Sequence, residues 1–162
     1  MEEDQKLLKE WEKVYTYYDN VASDSYKQEM RLSTMKIINI HHVAIICSNY
    51  EISKHFYTDI LGLKIVSEVY RKERNSYKLD LMVDDTYQIE LFSFPNPPKR
   101  PTHPEAAGLR HLAFQVENVE AAKQELQTKG IEVEDVRVDP FTDKKFTFFQ
   151  DPDGLPLELY EA

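Results

Sequence analysis

Two phrases of this chain say nearly the same thing: IHHVAII, residues 40–46, and LRHLAFQ, residues 109–115. When His42 is set against His111, 69 positions on (111 less 42), Ala44 meets Ala113, Asn49 meets Asn118, Glu51 meets Glu120 and Lys54 meets Lys123 without a gap. The ends of the two halves match as well, Ile89-Glu90-Leu91 against Leu157-Glu158-Leu159. A self-similar chain is built from one supersecondary unit used twice, so any fold assigned to it must accommodate two copies.

The unit itself is legible from periodicity and punctuation. A strand over residues 38–47 is followed by a helix over 50–61, which Gly62 stops, and then by strands over 63–71, 77–83 and 87–93, the last two joined through Asp84-Asp85. Residues 94–108 hold five of the eight prolines and form a linker. The same order then recurs: strand 109–116, helix 119–128 ended by Gly130, and strands over 131–138, 144–150 and 155–160. The expected fold class is therefore α+β, two tandem βαβββ modules, with module one at 35–93 and module two at 109–162. Residues 1–34 stand outside the repeat. Leu7, Trp11, Val14, Tyr18 and Val21 fall at helical spacing there, which predicts a helical extension packed on its own domain or on a partner.

Alternation then decides which side chains share a face, because successive residues of a strand point to opposite sides of its sheet. Val43, Ile45 and Cys47 lie on one face and His42, Ala44 and Ile46 on the other; Leu112, Phe114 and Val116 oppose His111, Ala113 and Gln115. Glu90 and Glu158 are each flanked by apolar residues of the helix-packed face. Both histidines and both glutamates are thus expected on the side turned away from the helices. A carboxylate in such a setting must be paired, hydrogen-bonded or coordinated. Two imidazoles and two carboxylates at equivalent positions of a repeat form a donor set for one divalent cation, so His42, Glu90, His111 and Glu158 are the candidate metal ligands. His41, His55 and His103 lack the symmetry and are read as surface or supporting residues, and Cys47 as core.

Composition narrows the partners. The net charge is −9, and the lysines and arginines are scattered, which argues against nucleic acid or an anionic membrane surface. The longest apolar run, over residues 37–47, is far short of the ~20 residues of a membrane helix. The N-terminus MEEDQKLLKEWEK lacks the pattern of a secretory signal, and a single cysteine suits a reducing compartment, so a soluble cytoplasmic protein is expected.

The segments IHHVAII, SKHFYTDILGLKI, QIELF, GLRHLAF and DPDGLPLELYE resemble the vicinal oxygen chelate superfamily, and within it the glyoxalase I (lactoylglutathione lyase) branch. SEVYR, ELFSFPNPPKRP and RVDPFTDKKFTFF are most similar to small bacterial glyoxalase-like proteins of the YaeR type. The resemblance covers residues 35–162. It implies a half-open barrel around one divalent metal, nickel, cobalt, zinc, manganese or iron, held by His42, Glu90, His111 and Glu158. It further implies a 2-oxoaldehyde–thiol hemithioacetal as substrate, a 2-hydroxyacyl thioester as product, an enediolate between them, and Glu158 as the base. Where glyoxalase I enzymes typically carry an arginine and an asparagine for glutathione, this chain has Ile46 and Phe94. Arg71, Arg74, Lys78, Arg110 and Lys145 are the candidates to hold an acidic substrate tail instead. Other reactions of the superfamily (epimerase, extradiol dioxygenase, thiol transferase) are alternatives, as is a non-catalytic small-molecule binder. A homodimer is expected, with the four ligands meeting either within one chain or across two.

Overall fold

The computed structural model describes residues 35–162. The chain divides into two units, Met1–Asn39 and Ile40–Ala162. Of the first, only 35–39 are described, without regular secondary structure, and the helical extension expected over 1–34 lies outside the described residues. The second unit carries the repeat.

Its first half runs β1 (Val43–Cys47), α1 (Tyr50–His55), a single π-helical turn (Phe56–Ile60), β2 (Lys64–Arg71), a 3-10 turn (Lys72–Arg74), β3 (Ser76–Val83) and β4 (Thr86–Ser93). The second half runs β5 (Leu112–Val116), α2 (Val119–Thr128), β6 (Arg137–Val138), β7 (Lys145–Gln150) and β8 (Pro156–Glu161). Each half folds its strands into one four-stranded sheet, β1-β4-β3-β2 and β5-β8-β7-β6. The first strand pairs parallel to the last in both, and the remaining pairs are antiparallel. Neither sheet closes on itself. This is the α+β architecture of two βαβββ modules.

The repeated asparagines have a local reason. Asn49 Oδ1 accepts from the Ile52 N–H at 3.2 Å and Asn118 Oδ1 from the Ala121 N–H at 2.8 Å, so each N-caps the helix that follows its first strand. Four elements depart from expectation. The helix over 50–61 is α only to His55; its last turn widens, with Leu61 N–H donating to Phe56 O, and two consecutive aromatics, Phe56 and Tyr57, both enter the core. The strands expected from residues 38 and 109 begin at Val43 and Leu112, where the parallel ladders to β4 and β8 begin. The strand over 131–138 reduces to Arg137–Val138 and one bridge, Val133 to Phe149.

The core sits on the helix side of both sheets. Ile45, Leu79, Leu81 and Leu91 from the first module join Phe149, Leu157 and Leu159 from the second in one apolar cluster. Each such side chain contributes roughly 1.5–3 kcal/mol on burial. The modules are joined on that side: Phe56 lies 6.4 Å from Phe149, the buried Tyr57 hydroxyl donates to Asp151 Oδ2 at 2.9 Å, and the Ser48 N–H donates to Asp153 Oδ2 at 2.9 Å. The face of each sheet turned away from its helix therefore points away from this shared core. Among the described residues no helix is long and apolar enough to cross a membrane.

Candidate metal centre

In each module the ladder register brings one histidine to one glutamate. Glu90 lies directly across from Ala44 and Glu158 across from Ala113, and the histidine in each case stands two residues before that alanine, just outside the first ladder pair. Alanine at this place adds only a methyl group beside the carboxylate. His42 Nε2 is 3.5 Å from Glu90 Oε2, and His111 Nε2 is 3.1 Å from Glu158 Oε2. The carboxylates are sunk, with side-chain exposures of 13% and 11%, beneath imidazoles exposed to 36% and 35%.

These separations suit a shared ion. Two donors at ~2.0–2.2 Å from one metal and at right angles to each other stand about 3 Å apart. The donor types, neutral nitrogen and anionic oxygen, fit a first-row divalent ion. The ring orientations are supported from behind. His42 Nδ1 lies 2.8 Å from His41 Nδ1, and the His111 ring stands edge-on to Phe148, with centroids 5.2 Å apart. Among the described residues no three His, Cys, Asp or Glu side chains gather into one metal-holding group. The structure thus brings the four expected ligands together as two pairs, one per module.

The walls around the two pairs differ. Beside Glu90, Lys78 Nζ reaches Glu90 Oε1 at 2.9 Å and also bonds Asp80, whose other oxygen accepts from the Ser67 hydroxyl at 2.6 Å. In the second sheet the corresponding places hold Phe146 and Phe148, with Phe148 directly across from Glu158 and Phe146 stacked on Tyr160. The Arg137 guanidinium carbon lies 4.9 and 5.5 Å from their ring centroids. The residue directly across from Glu90 in β3 is charged, and the one across from Glu158 in β7 is aromatic.

The remaining candidates fall in different places. Lys78 is at the first pair. Arg71, at the end of β2, lies on the same face, its guanidinium carbon 4.7 Å from the Phe92 ring centroid. Arg110 adjoins His111, pairs with Glu105 at 3.6 Å, and with Arg137 and Phe148 lines a groove of about 710 Å³. Arg74 is exposed in the 3-10 turn. Lys145 points to the helix side, where it pairs with Glu120 of α2 at 2.6 Å. Sequence reading missed Arg137 and the aromatic wall. The alternation of Phe146 and Phe148 along β7 was the available signal.

Residues 39–159 match the Glyoxalase/Bleomycin resistance protein/Dioxygenase superfamily. The chain belongs to this superfamily. The YwkD protein of Bacillus subtilis (strain 168) is 63% identical over 127 residues, 78% of this chain and 99% of that one. The YaeR protein of Escherichia coli (strain K12) is 59% identical over 122 residues, 75% of this chain and 95% of its own. The crystal structure of a glyoxalase family protein from Enterococcus faecalis superposes with a TM-score of 0.71 at 53% identity, covering 76% of this chain and 97% of that one. In this glyoxalase-superfamily chain, the matched region contains both His–Glu pairs and stops short of the N-terminal residues.

Proposed function

We propose that this protein is a divalent-metal-dependent lyase of the glyoxalase I type, converting a 2-oxoaldehyde–thiol hemithioacetal into a 2-hydroxyacyl thioester. The observation that carries the reading is the pair of equivalent His–Glu contacts, 3.5 and 3.1 Å, on corresponding faces of two repeated sheets. His42, Glu90, His111 and Glu158 would hold the ion. When bound, it supplies a Lewis acid that lowers the cost of negative charge on adjacent substrate oxygens.

Glu158 acts as the base. It takes the proton from the carbon bearing the thiol and returns it to the neighbouring carbon, so the substrate is oxidised at one carbon and reduced at the next with no outside redox partner. Its carboxylate lies under His111 and beside Phe148, where water is largely excluded. Phe146 and Phe148 supply an apolar wall for the organic part of the substrate.

The complete site is built from two copies of the chain, with His42 and Glu90 of one facing His111 and Glu158 of the other. The support is that the modules join through their helix sides, while each pair lies on the opposite face of its sheet. A homodimer is the smallest closed assembly that satisfies this.

Two measurements test the reading. Metal-stripped protein is reloaded with nickel, cobalt, zinc, manganese or iron and assayed on methylglyoxal hemithioacetals of glutathione and of other small thiols. Metal-dependent turnover that disappears in Glu158→Gln with metal still bound is expected; no turnover with any thiol despite bound metal would refute the lyase. Mixing the double variant His42→Ala/Glu90→Ala with His111→Ala/Glu158→Ala, after unfolding and refolding together, is expected to restore one intact metal site per mixed dimer. Absence of any restored metal binding would place the four ligands within one chain.

A further inference from the structure

The cations on the described surface mostly face carboxylates: Arg110 faces Glu105, Arg137 faces Glu134 and Lys145 faces Glu120. Arg71 does not. It is half-buried on the same sheet face as Glu90, and no carboxylate among the described residues pairs with it. Its Nε and one terminal nitrogen both donate to Ser76 Oγ, at 3.0 and 2.6 Å, and Ser76 is itself buried. Its guanidinium carbon lies over Phe92 at 4.7 Å and Phe94 at 5.4 Å, and those two rings stack 6.2 Å apart.

This arrangement orients the guanidinium without neutralising it. A neutral hydroxyl and two ring faces stabilise a cation less than a carboxylate does, and a half-buried charge without a counter-charge is costly. What they do supply is a fixed plane for the fork, whose other terminal nitrogen makes no hydrogen bond to the described residues. Such a fork is complementary to two oxygens of a carboxylate or phosphonate.

The place is also connected to the candidate metal centre. Phe92, on which Arg71 rests, is two residues along β4 from Glu90, on the same face, and Lys78 bridges the interval, with Nζ 5.9 Å from the Phe92 centroid and 2.9 Å from Glu90. Two residues along a strand span about 6.6–6.8 Å. That interval separates the two places along β4, with the guanidinium carbon a further 4.7 Å from the Phe92 centroid.

We propose that Arg71 is the subsite for an oxyanion at the far end of the substrate, so that the ligand of this site carries a carboxylate or phosphonate at the end away from its chelating oxygens. The proposal rests on the metal-site reading for the position of the other end of that ligand. It assigns to Arg71 the selection of acidic over neutral substrates.

The test uses a chelating hydroxamate with and without the charge. Binding of adipate monohydroxamate and of its methyl ester to the manganese-loaded protein is measured by calorimetry. The acid is expected to bind about tenfold tighter or more than the ester, as a charge-assisted hydrogen-bond pair implies. In Arg71→Met that advantage is expected to vanish while the ester binds as before, which shows the centre intact, and Arg71→Lys is expected to recover part of it. Equal binding of acid and ester by the wild type, or an advantage that survives Arg71→Met, would overturn the proposal. If neither hydroxamate binds, the metal reading has failed and the arginine is judged directly on metal-free protein. A saturable shift of the Arg71 Nε–H resonance on titration with methylphosphonate or propionate would sustain it, and no shift with either would overturn it. The stronger of the two responses identifies the oxyanion.

Discussion

Replacing Tyr57 by phenylalanine removes one oxygen atom from the junction of the two modules. The side chain is fully buried, and its hydroxyl is the donor to Asp151 Oδ2 at 2.9 Å; the other carboxylate oxygen is served by the Asp153 and Leu155 N–H groups at 2.9 and 2.8 Å. In Tyr57→Phe, Oδ2 keeps its charge and loses that donor. A hydrogen bond to a charged group contributes about 1.5–3 kcal/mol, against roughly 0.5–1.5 for a neutral pair. The expected loss near neutral pH is therefore about 2 kcal/mol, or roughly 4–8 °C in Tm for a chain of this size. Burial lifts the Asp151 carboxyl above the ordinary carboxylate range, while the Leu155 N–H and then the Tyr57 hydroxyl pull it back. With its folded pKa raised, Asp151 takes up a proton on folding, so its contribution to stability falls as pH rises through the interval between the ordinary value and the raised one. The substitution removes a group that favours the ionised form and widens that interval upward. The difference between wild type and variant should thus shrink by about 1 kcal/mol on acidification, as the bond lost becomes a neutral one. Urea unfolding of both proteins at neutral and mildly acidic pH measures this, with Asp151→Asn as the control that lacks the titration. A loss under about 0.5 kcal/mol at neutral pH, or the same loss at both pH values, would refute the reasoning.

Burial pushes the Cys47 thiol up to about 11, so a disulfide reagent at pH 8 should leave native protein unmodified and label it fully in urea; labelling of the folded protein would contradict the packing of β1. The Lys54 ammonium, and after it the Tyr50 hydroxyl, hold the Glu68 carboxyl below its usual range. Its stabilising effect is present above the ordinary carboxylate value and lost as pH falls through the lowered one, so Glu68→Gln should flatten the acid limb of the Tm profile, and an unchanged limb would count against the pair. Lys78→Met removes a positive charge from beside Glu90 and leaves Asp80 negative. At a few ångströms and an effective dielectric near 20–80, one charge alters the energy of a divalent ion by ~1 kcal/mol or more, so the variant should bind metal at least about fivefold tighter in a competition titration. Weaker binding would show that Lys78 supports the ion instead of opposing it.

The outline of the fold was readable because duplication prints the same residues at the same offset for the same local reason: Asn49 and Asn118 each cap a helix, and Glu90 and Glu158 each lie opposite an alanine. The element ends were not. His42 and His111 sit just before their ladders begin, and nothing in the apolar pattern distinguishes a residue that pairs from one that merely continues the alternation. The π-helical turn escaped because helical periodicity does not reveal a local widening that buries two successive aromatics. At the candidate site, alternation gave each His and Glu its face, but the neighbours across the sheet required register. Lys78 beside Glu90 and Arg137 over Phe146 depend on which residue faces which in β3, β4, β6 and β7, and that is set by turns and bulges. The Tyr57–Asp151 bond spans 94 residues, and no local signal announces it.

The two half-sites share their ligands and the alanine opposite each glutamate, and differ in the side chains of the next strand. A centre of two-fold symmetry would receive a two-headed ligand equally well either way round, and its two carbons would then be interchangeable to the base. Here Lys78, Asp80 and Ser67 surround Glu90, whereas Phe146 and Phe148 surround Glu158. The surroundings give the centre a polarity, and a ligand with one charged and one greasy end enters it in a single sense. On the proposed lyase reading, only one of its carbons would face Glu158, and from one side, so the product would acquire a single handedness. Orientation at this centre is set by the walls; the ligands, being duplicated, do not distinguish one end of a bound molecule from the other.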